Sequence, residues 1–290
     1  MPYLDWADFS FAGIGTSWEI STPQPLPHAL QEQVLECVEN FDAAWSRFRP
    51  DSQVTTMSTR PGTYSFPPEA AALGVLYRTL YRISEGAMTP LIGASLEQLG
   101  YDAGYSLQPA GPPMAPPAWD DALSWEGSTL TTSRTVTLDV GAAGKGLLVD
   151  LVGELLRDAG QADFLIDASG DLLAAGTGPA TIGLEHPYNP RQAIGTVPLH
   201  KGALCASASN RRVWGDGFHH VLDGSTGAPV RTVVAAWALA PTAMLADALA
   251  TALFLVPAAA LEAEFDFTWV TVLADGTAIR SPGFEGILFT

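Results

Sequence analysis

The segment that most limits how this chain can fold is Ala240 to Val256, APTAMLADALATALFLV, as apolar as a core yet with one carboxylate inside it. Pro241 and Thr242 supply helix-start chemistry, and the residues after them are apolar around nearly the whole circumference. The pattern predicts a helix over about 242–256, buried on all sides. Such a helix requires layers of structure around it. Asp247 lies too far past the start to cap it, and Thr251 follows four residues later on the same face. A buried carboxylate without compensation costs on the order of several kcal/mol. Two compensations are open: a salt bridge, for which basic residues are scarce here, or a hard cation. Carboxylate and hydroxyl oxygens suit Mg²⁺ or Ca²⁺ better than Zn²⁺.

The layers can be read from the rest of the chain. Phe11 to Ile20 predicts a strand bent at Gly13-x-Gly15, and Pro27 to Arg47 a helix with Leu30, Val34, Val38, Phe41 and Trp45 on one face. Ala70 to Glu85 repeats the helical period. Pro109 to Pro117 (PAGPPMAPP) holds too many prolines for helix or sheet and predicts an exposed loop. Trp125 to Val140 predicts two strands, the second being Thr135 to Val140. A glycine turn over 141–146 and a helix from Leu147 to Asp158 follow. Further strands are expected at 164–167, 181–184, 194–197, 204–207 and 233–239, and a closing hairpin joins 269–273 to Ile279 through Ala274-Asp275-Gly276. Without strict βαβ alternation the expectation is an α+β fold of layered mixed sheets with packed helices, one domain over 1–290.

Composition narrows the partners. With 47% hydrophobic residues among 290 a sizeable core is available. The net charge of −17, with 14 basic residues and no basic run longer than Arg211-Arg212, argues against nucleic acid. A phosphorylated ligand would need local donors or a metal. Cys37 and Cys205 read as ordinary thiols. No apolar run of about eighteen residues predicts a transmembrane span. The start, MPYLDWAD, lacks a signal-peptide pattern, so the expectation is a cytoplasmic location.

Two more segments carry chemistry. Asp139 to Asp150, DVGAAGKGLLVD, joins a strand to a helix through glycines. Its free N–H groups would make an anion cradle, or it is simply a tight connection. It is neither a Walker A loop nor a GxGxxG fingerprint. Gly217 to Pro229, GFHHVLDGSTGAP, pairs His219 and His220 ahead of Asp223. Either histidine could take a proton from a hydroxyl nucleophile, or the segment is a strand end whose Asp holds the turn. No GxSxG elbow is present, which speaks against a hydrolase triad.

Taken in order, the segments resemble the ApbE family of FAD:protein FMN transferases. Gly15-Thr16 is similar to its Met-Gly-Thr element, with Ile14 for methionine, and Phe41 to Val54 to its S-x-[FY]-x-x-x-S segment through Ser46, Phe48 and Ser52. Asp139 to Asp150 resembles D-x-G-G-x-x-K-G-x-x-x-D, with Ala142 for the second glycine. Ile166 to Asp171 resembles the N-x-G-G-D turn, and Ala206-Ser207-Ala208 stands where T-S-G is usual. His219 to Pro229 resembles H-H-I-[IL]-D-P-x-T-G-x-P, and Ala246 to Ala252 matches A-D-A-x-A-T-A closely.

The resemblance implies an ApbE-like, T-fold-related architecture with FAD in a cleft between two halves and Mg²⁺ at its diphosphate. It implies Asp247, Thr251 and the Gly144 carbonyl as metal ligands. Ile14, Gly15, Gly141, Leu147, Ser207 and Leu222 fall at cofactor-contact positions. The implied reaction is attack by a Thr or Ser hydroxyl of an acceptor protein on the FMN phosphorus, with AMP leaving. His220, or failing that His219, would take the proton, Asp223 would orient it or hold the loop, and Lys145 would offset phosphate charge. Met88-Thr89 replaces the usual Phe-Asp pair on the adenine side, Ser169 replaces a glycine and Gly224 a proline. Two alternatives share the same site: a metal-dependent FAD pyrophosphatase giving FMN and AMP, and a catalytically decayed FAD-binding protein.

Overall fold

The computed structural model describes residues 6–176, 178, 180–215 and 217–289. Its centre is an eight-stranded antiparallel sheet made of β1 (Ala7–Gly13), β2 (Thr16–Thr22), β3 (Phe164–Asp167), β4 (Asp171–Ala175), β5 (Gly202–Ala208), β6 (Val233–Ala240), β7 (Thr268–Leu273) and β8 (Ala278–Arg280). Their spatial order is also their sequence order, so each connection is a hairpin or a long excursion that returns beside the strand it left. The excursions hold most of the chain. Between β2 and β3 lie α1 (His28–Trp45), α2 (Ala70–Ile83) and α3 (Gly144–Asp158), and between β6 and β7 lies α4 (Ala243–Ala252).

Alternation along the strands explains the layering. Phe164, Ile166, Leu173, Ala203, Cys205, Ala236 and Ala238 face the helices. Leu172, Ala174, Leu204, Trp237, Val270 and Val272 face the other way, onto a three-stranded sheet of Ala180–His186, Asn189–Leu199 and Ile287–Leu288. The segments expected at 181–184 and 194–197 are therefore strands of this second layer. The layered α+β expectation holds, and every strand pairing is antiparallel.

Three local expectations need correction. Phe11 to Ile20 is not one bent strand but the heart of a hairpin, β1 against β2, turning on Ile14-Gly15. Thr135 to Val140 is not a strand. Val136, Leu138 and Val140 are buried as strand alternation demands, but the segment packs against the turn at Pro90 and Gly93 instead of joining a ladder. The strand there is Thr129–Thr132, in a small sheet with Gly62–Ser65 and Leu123–Glu126. The last long helix ends at Ala252, four residues before the apolar run does. Pro109 to Pro117 forms no helix or strand and is largely exposed.

The start of α4 is held from two sides. Thr242 accepts from the Leu245 N–H at 3.3 Å, as helix-start chemistry predicts. Asp150, from the second turn of α3, accepts from the N–H groups of Ala243 and Met244, both at 2.8 Å. One carboxylate thus satisfies two of the four orphan donors of the helix. Asp150→Ala is expected to lower unfolding free energy by about 1–2 kcal/mol, read as a shifted denaturant midpoint at constant slope.

Candidate active site

The site forms where α3 and α4 cross. Gly146 permits the crossing: a Cβ there would lie 2.2 Å from the Ala243 carbonyl oxygen and 2.8 Å from Asp247 Cβ. At that distance the Gly146 N–H, one of the free donors in the first turn of α3, donates to Asp247 Oδ2 at 3.0 Å. Gly146, which follows Lys145 where a Walker A loop has Ser or Thr, is thus the residue that lets two backbones meet.

Asp247 is 4% exposed, and Asp171, at the head of β4, is fully buried. Lys145 Nζ lies 3.1 Å from Asp171 Oδ2 and donates to the Ala168 carbonyl at 2.9 Å. Burial and then the nearby Asp171 charge push the Asp247 carboxyl well above its ordinary range. Asp171 is also raised by burial, although Lys145 opposes the shift. Burial works against the Lys145 ammonium, but Asp171 and Asp247 outweigh it and hold its proton more tightly. Two desolvated carboxylates share one ammonium. The surplus negative charge calls for a proton or a cation.

One turn beyond Asp247, Thr251 Oγ1 lies 2.9 Å from Ser207 Oγ at the end of β5. Two hairpin turns close this side. Ser169-Gly170, both left-handed, joins β3 to β4, and its Ser169 hydroxyl donates to the Ser17 carbonyl at 2.9 Å, beside the Ile14-Gly15 turn. The Gly170 carbonyl accepts from Ala206 N at 3.0 Å, beside Ser207. Ile14 has φ 45°, an uncommon and strained conformation for a β-branched side chain. Ile14, Gly15, Lys145, Ser207, Asp247 and Thr251 are thus neighbours around one end of the sheet. Gly144 is the first residue of α3, with its N–H on the Val140 carbonyl at 2.7 Å, while Leu147 is buried in the main core.

The histidine segment lies close enough to this site for the charges of Asp139 and Lys145 to be felt at His220. His219 has no free ring nitrogen: Nδ1 accepts from Val221 N at 3.3 Å, so Nε2 carries the proton toward the Val230 carbonyl, 2.7 Å away. His220 differs. Its buried Nδ1 has no hydrogen-bond partner among the described residues. Burial, and after it the Arg212 and His219 charges, lowers its pKa to about 3, and the charges of Asp139 and Lys145 are also felt there. Asp223 accepts from the Ser225 N–H at 2.8 Å and the Ser225 hydroxyl at 2.6 Å, so of its two expected roles it visibly holds the turn. Leu222 is buried in a small cluster with Tyr101 and Trp214. Met88 and Thr89 are buried too, and the Thr89 hydroxyl accepts from Leu91 N at 3.2 Å.

Residues not singled out beforehand complete the cleft. Asp139 pairs with buried Arg47 at 2.6 Å and accepts from Gly141 N at 2.8 Å, pinning the glycine turn. Tyr77 is buried where the Asp139 and Asp247 charges both raise its pKa, after burial itself. Asp171 was in plain view, as the acid that opens the apolar strand DLLAA after a glycine turn.

Among the described residues no three His, Cys, Asp or Glu side chains converge as a self-sufficient metal centre. The Asp247 carboxylate, the Thr251 hydroxyl and backbone carbonyls make a set that fits a hard cation completed by phosphate oxygens. A groove of about 910 Å³ between α1 and α3 is lined by Glu36, Glu69, Glu154 and Asp158 with no cation, and repels phosphate.

The ApbE family model matches residues 14–266. The chain belongs to the ApbE family. An FAD:protein FMN transferase of Rhodobacter capsulatus is 31% identical over 269 residues, covering 84% of this chain and 50% of that protein. One of Treponema pallidum is 26% identical, covering 79% and 72%. The chain therefore spans half of the first and under three quarters of the second. Among solved structures, the ApbE protein of Thermotoga maritima superposes with a TM-score of 0.81 at 23% identity, covering 96% of this chain and 97% of that one. Flavin transferase ApbE from Vibrio cholerae gives 0.78 at 20%, covering 97% and 98%. Two departures from the ApbE pattern, Thr89 and Gly224, lie against each other. A Cβ on Gly224 would sit 2.7 Å from Thr89 Cγ2, and the Gly224 N–H, which a proline lacks, donates to the Ala87 carbonyl at 2.8 Å.

Proposed function

We propose that this chain transfers FMN from FAD to a Thr or Ser hydroxyl of an acceptor protein and releases AMP. The observation that carries it is the surplus negative charge of Asp247 and Asp171, buried beside the Thr251 hydroxyl and the glycine turn that opens α3. A dication held by Asp247, Thr251 and the Gly144 carbonyl answers that surplus. Bound there, Mg²⁺ would neutralise charge on the diphosphate as its P–O bond breaks.

The chain's own residues do the rest. Ile14, Gly15, Gly141, Ser207 and Leu222 bound the flavin side, with Leu147 packing beneath, and Met88-Thr89 the adenine side. His220 takes the proton of the acceptor hydroxyl, since both nitrogens of His219 are committed to the backbone. The hydroxyl oxygen bonds to the FMN phosphorus, the bond from that phosphorus to the bridging oxygen breaks, and AMP departs with that oxygen. Asp223 keeps the turn beside His220 in place, and Lys145 offsets phosphate charge. No helix among the described residues is long and apolar enough to cross a membrane.

Incubation with FAD and Mg²⁺, with and without an acceptor, tests this by intact mass of the acceptor and by AMP release. FMN-labelled acceptor with equimolar AMP is expected. FMN and AMP at the same rate without acceptor would make water the nucleophile and the chain a pyrophosphatase. FAD binding with no turnover under any metal would mark decayed catalysis.

A further inference from the structure

We infer that Arg212 is a phosphate-binding residue of this cleft, on the histidine side, for a ligand that carries a nucleoside diphosphate. The inference rests on the flavin-nucleotide reading for the identity of that ligand, but not for the site itself.

Its place follows from register. The strands Val213–Trp214 and Phe218–His219 pair antiparallel, Val213 opposite His219 and Trp214 opposite Phe218. Carried one step past the ladder, this register brings Arg212 to the side of His220, where its charge is felt. Trp214, two residues from Arg212 and so on the same face, stacks on Tyr101 with centroids 5.7 Å apart. The Arg212 guanidinium lies over the same Tyr101 ring at 5.4 Å and donates through Nη1 to its hydroxyl. A planar cation is thus laid on an aromatic shelf next to the imidazole whose Nδ1 has no partner. Its charge is felt at His220 and at Asp139.

Charge pairing sets it apart from Arg47, Lys145 and Arg211. Arg47 is neutralised by Asp139 at 2.6 Å, and Lys145 by Asp171 at 3.1 Å. Arg211, its sequence neighbour, pairs with Glu185 at 3.0 Å. Among the described residues Arg212 has no carboxylate within ion-pair distance, and Nη2 and Nε have no protein acceptor. A diphosphate entering a chain of net charge −17, past Asp139 and Asp247, needs a cation not already spoken for. Arg212 is such a cation, and its free N–H groups match phosphate oxygens in a fork.

The test measures binding alone. Wild type, Arg212→Ala, Arg212→Lys and the control Arg211→Ala are titrated with FAD, riboflavin and ADP, with and without Mg²⁺, by flavin fluorescence or calorimetry. Arg212→Ala is expected to weaken FAD and ADP about tenfold or more, with Arg212→Lys intermediate and Arg211→Ala like wild type. Riboflavin, which has no phosphate, should bind all four equally. Equal weakening of riboflavin would make the residue structural, and unchanged FAD and ADP affinity would overturn the inference. A wild type that ignores FAD but binds ADP would sink the flavin reading, and ADP then judges Arg212. A wild type that binds neither overturns both.

Discussion

Asp247→Asn is expected to lower metal-dependent FMN transfer by roughly 10³-fold or more, while the fold stays intact. The amide oxygen can still accept from the Gly146 N–H that now lies 3.0 Å from Oδ2, so the α3–α4 crossing keeps its tie. What disappears is charge. Lys145 is then matched by Asp171 alone, and the surplus that calls for a cation is gone. Asp247→Ala removes the acceptor too, and should lose the same activity plus about 1 kcal/mol of stability. Thermal unfolding adds a second readout. In the folded, metal-free chain the Asp247 carboxyl holds its proton well above the ordinary carboxylate range, because of burial and Asp171. Its contribution is therefore fully present below the unfolded pKa and is lost as pH rises through the folded one. Mg²⁺ should raise the wild-type melting temperature most at the high end of that window, and leave Asp247→Asn unmoved. Wild-type turnover in Asp247→Asn would remove this carboxylate from the chemistry.

How far such a site can be read ahead depends on what places each residue. Asp247 and Thr251 were legible because a helix apolar on all sides leaves a carboxylate nowhere to go, and the fold did bury it at 4% exposure. The layers were legible for the same reason, since an all-round apolar helix needs a sheet on one side and helices on the other. What sequence could not supply was the partner across the crossing. Gly146 looks like a defect in a phosphate loop until α4 arrives within 2.2 Å of its missing Cβ. Asp171 and Lys145 are 26 positions apart, and only the return of β4 beside α3 joins them. Thr135 to Val140 shows the converse failure: its alternation records burial on one face, and burial does not require a ladder partner. His219 and His220 are equivalent by composition. Only the Val221 and Val230 backbone groups, which engage both nitrogens of one ring, tell them apart.

That distinction yields the second large effect. His220→Ala is expected to cut transfer by about 10²–10⁴-fold with FAD affinity little changed, whereas His219→Ala should act mainly through stability. Burial, Arg212 and His219 hold the His220 imidazole near a pKa of about 3, so it is unprotonated over the physiological range. The acid limb of kcat/KM assigned to this base should therefore lie far below the ordinary histidine value, with no loss from His220 between pH 8 and 5. Stability carries the opposite signature. The unfolded histidine takes a proton below about 6.5 and the folded one does not, so wild type loses stability as pH falls through that value, by at most about 1.4 kcal/mol per pH unit. His220→Ala should lack that slope between pH 6.5 and 5, while the carboxylates, common to both chains, cancel in the difference. Unchanged transfer in His220→Ala would end its role as base. A wild-type kcat/KM that fell with an apparent pKa near 6.5, and a stability difference flat over the same interval, would show instead that the ring is solvated and ordinary.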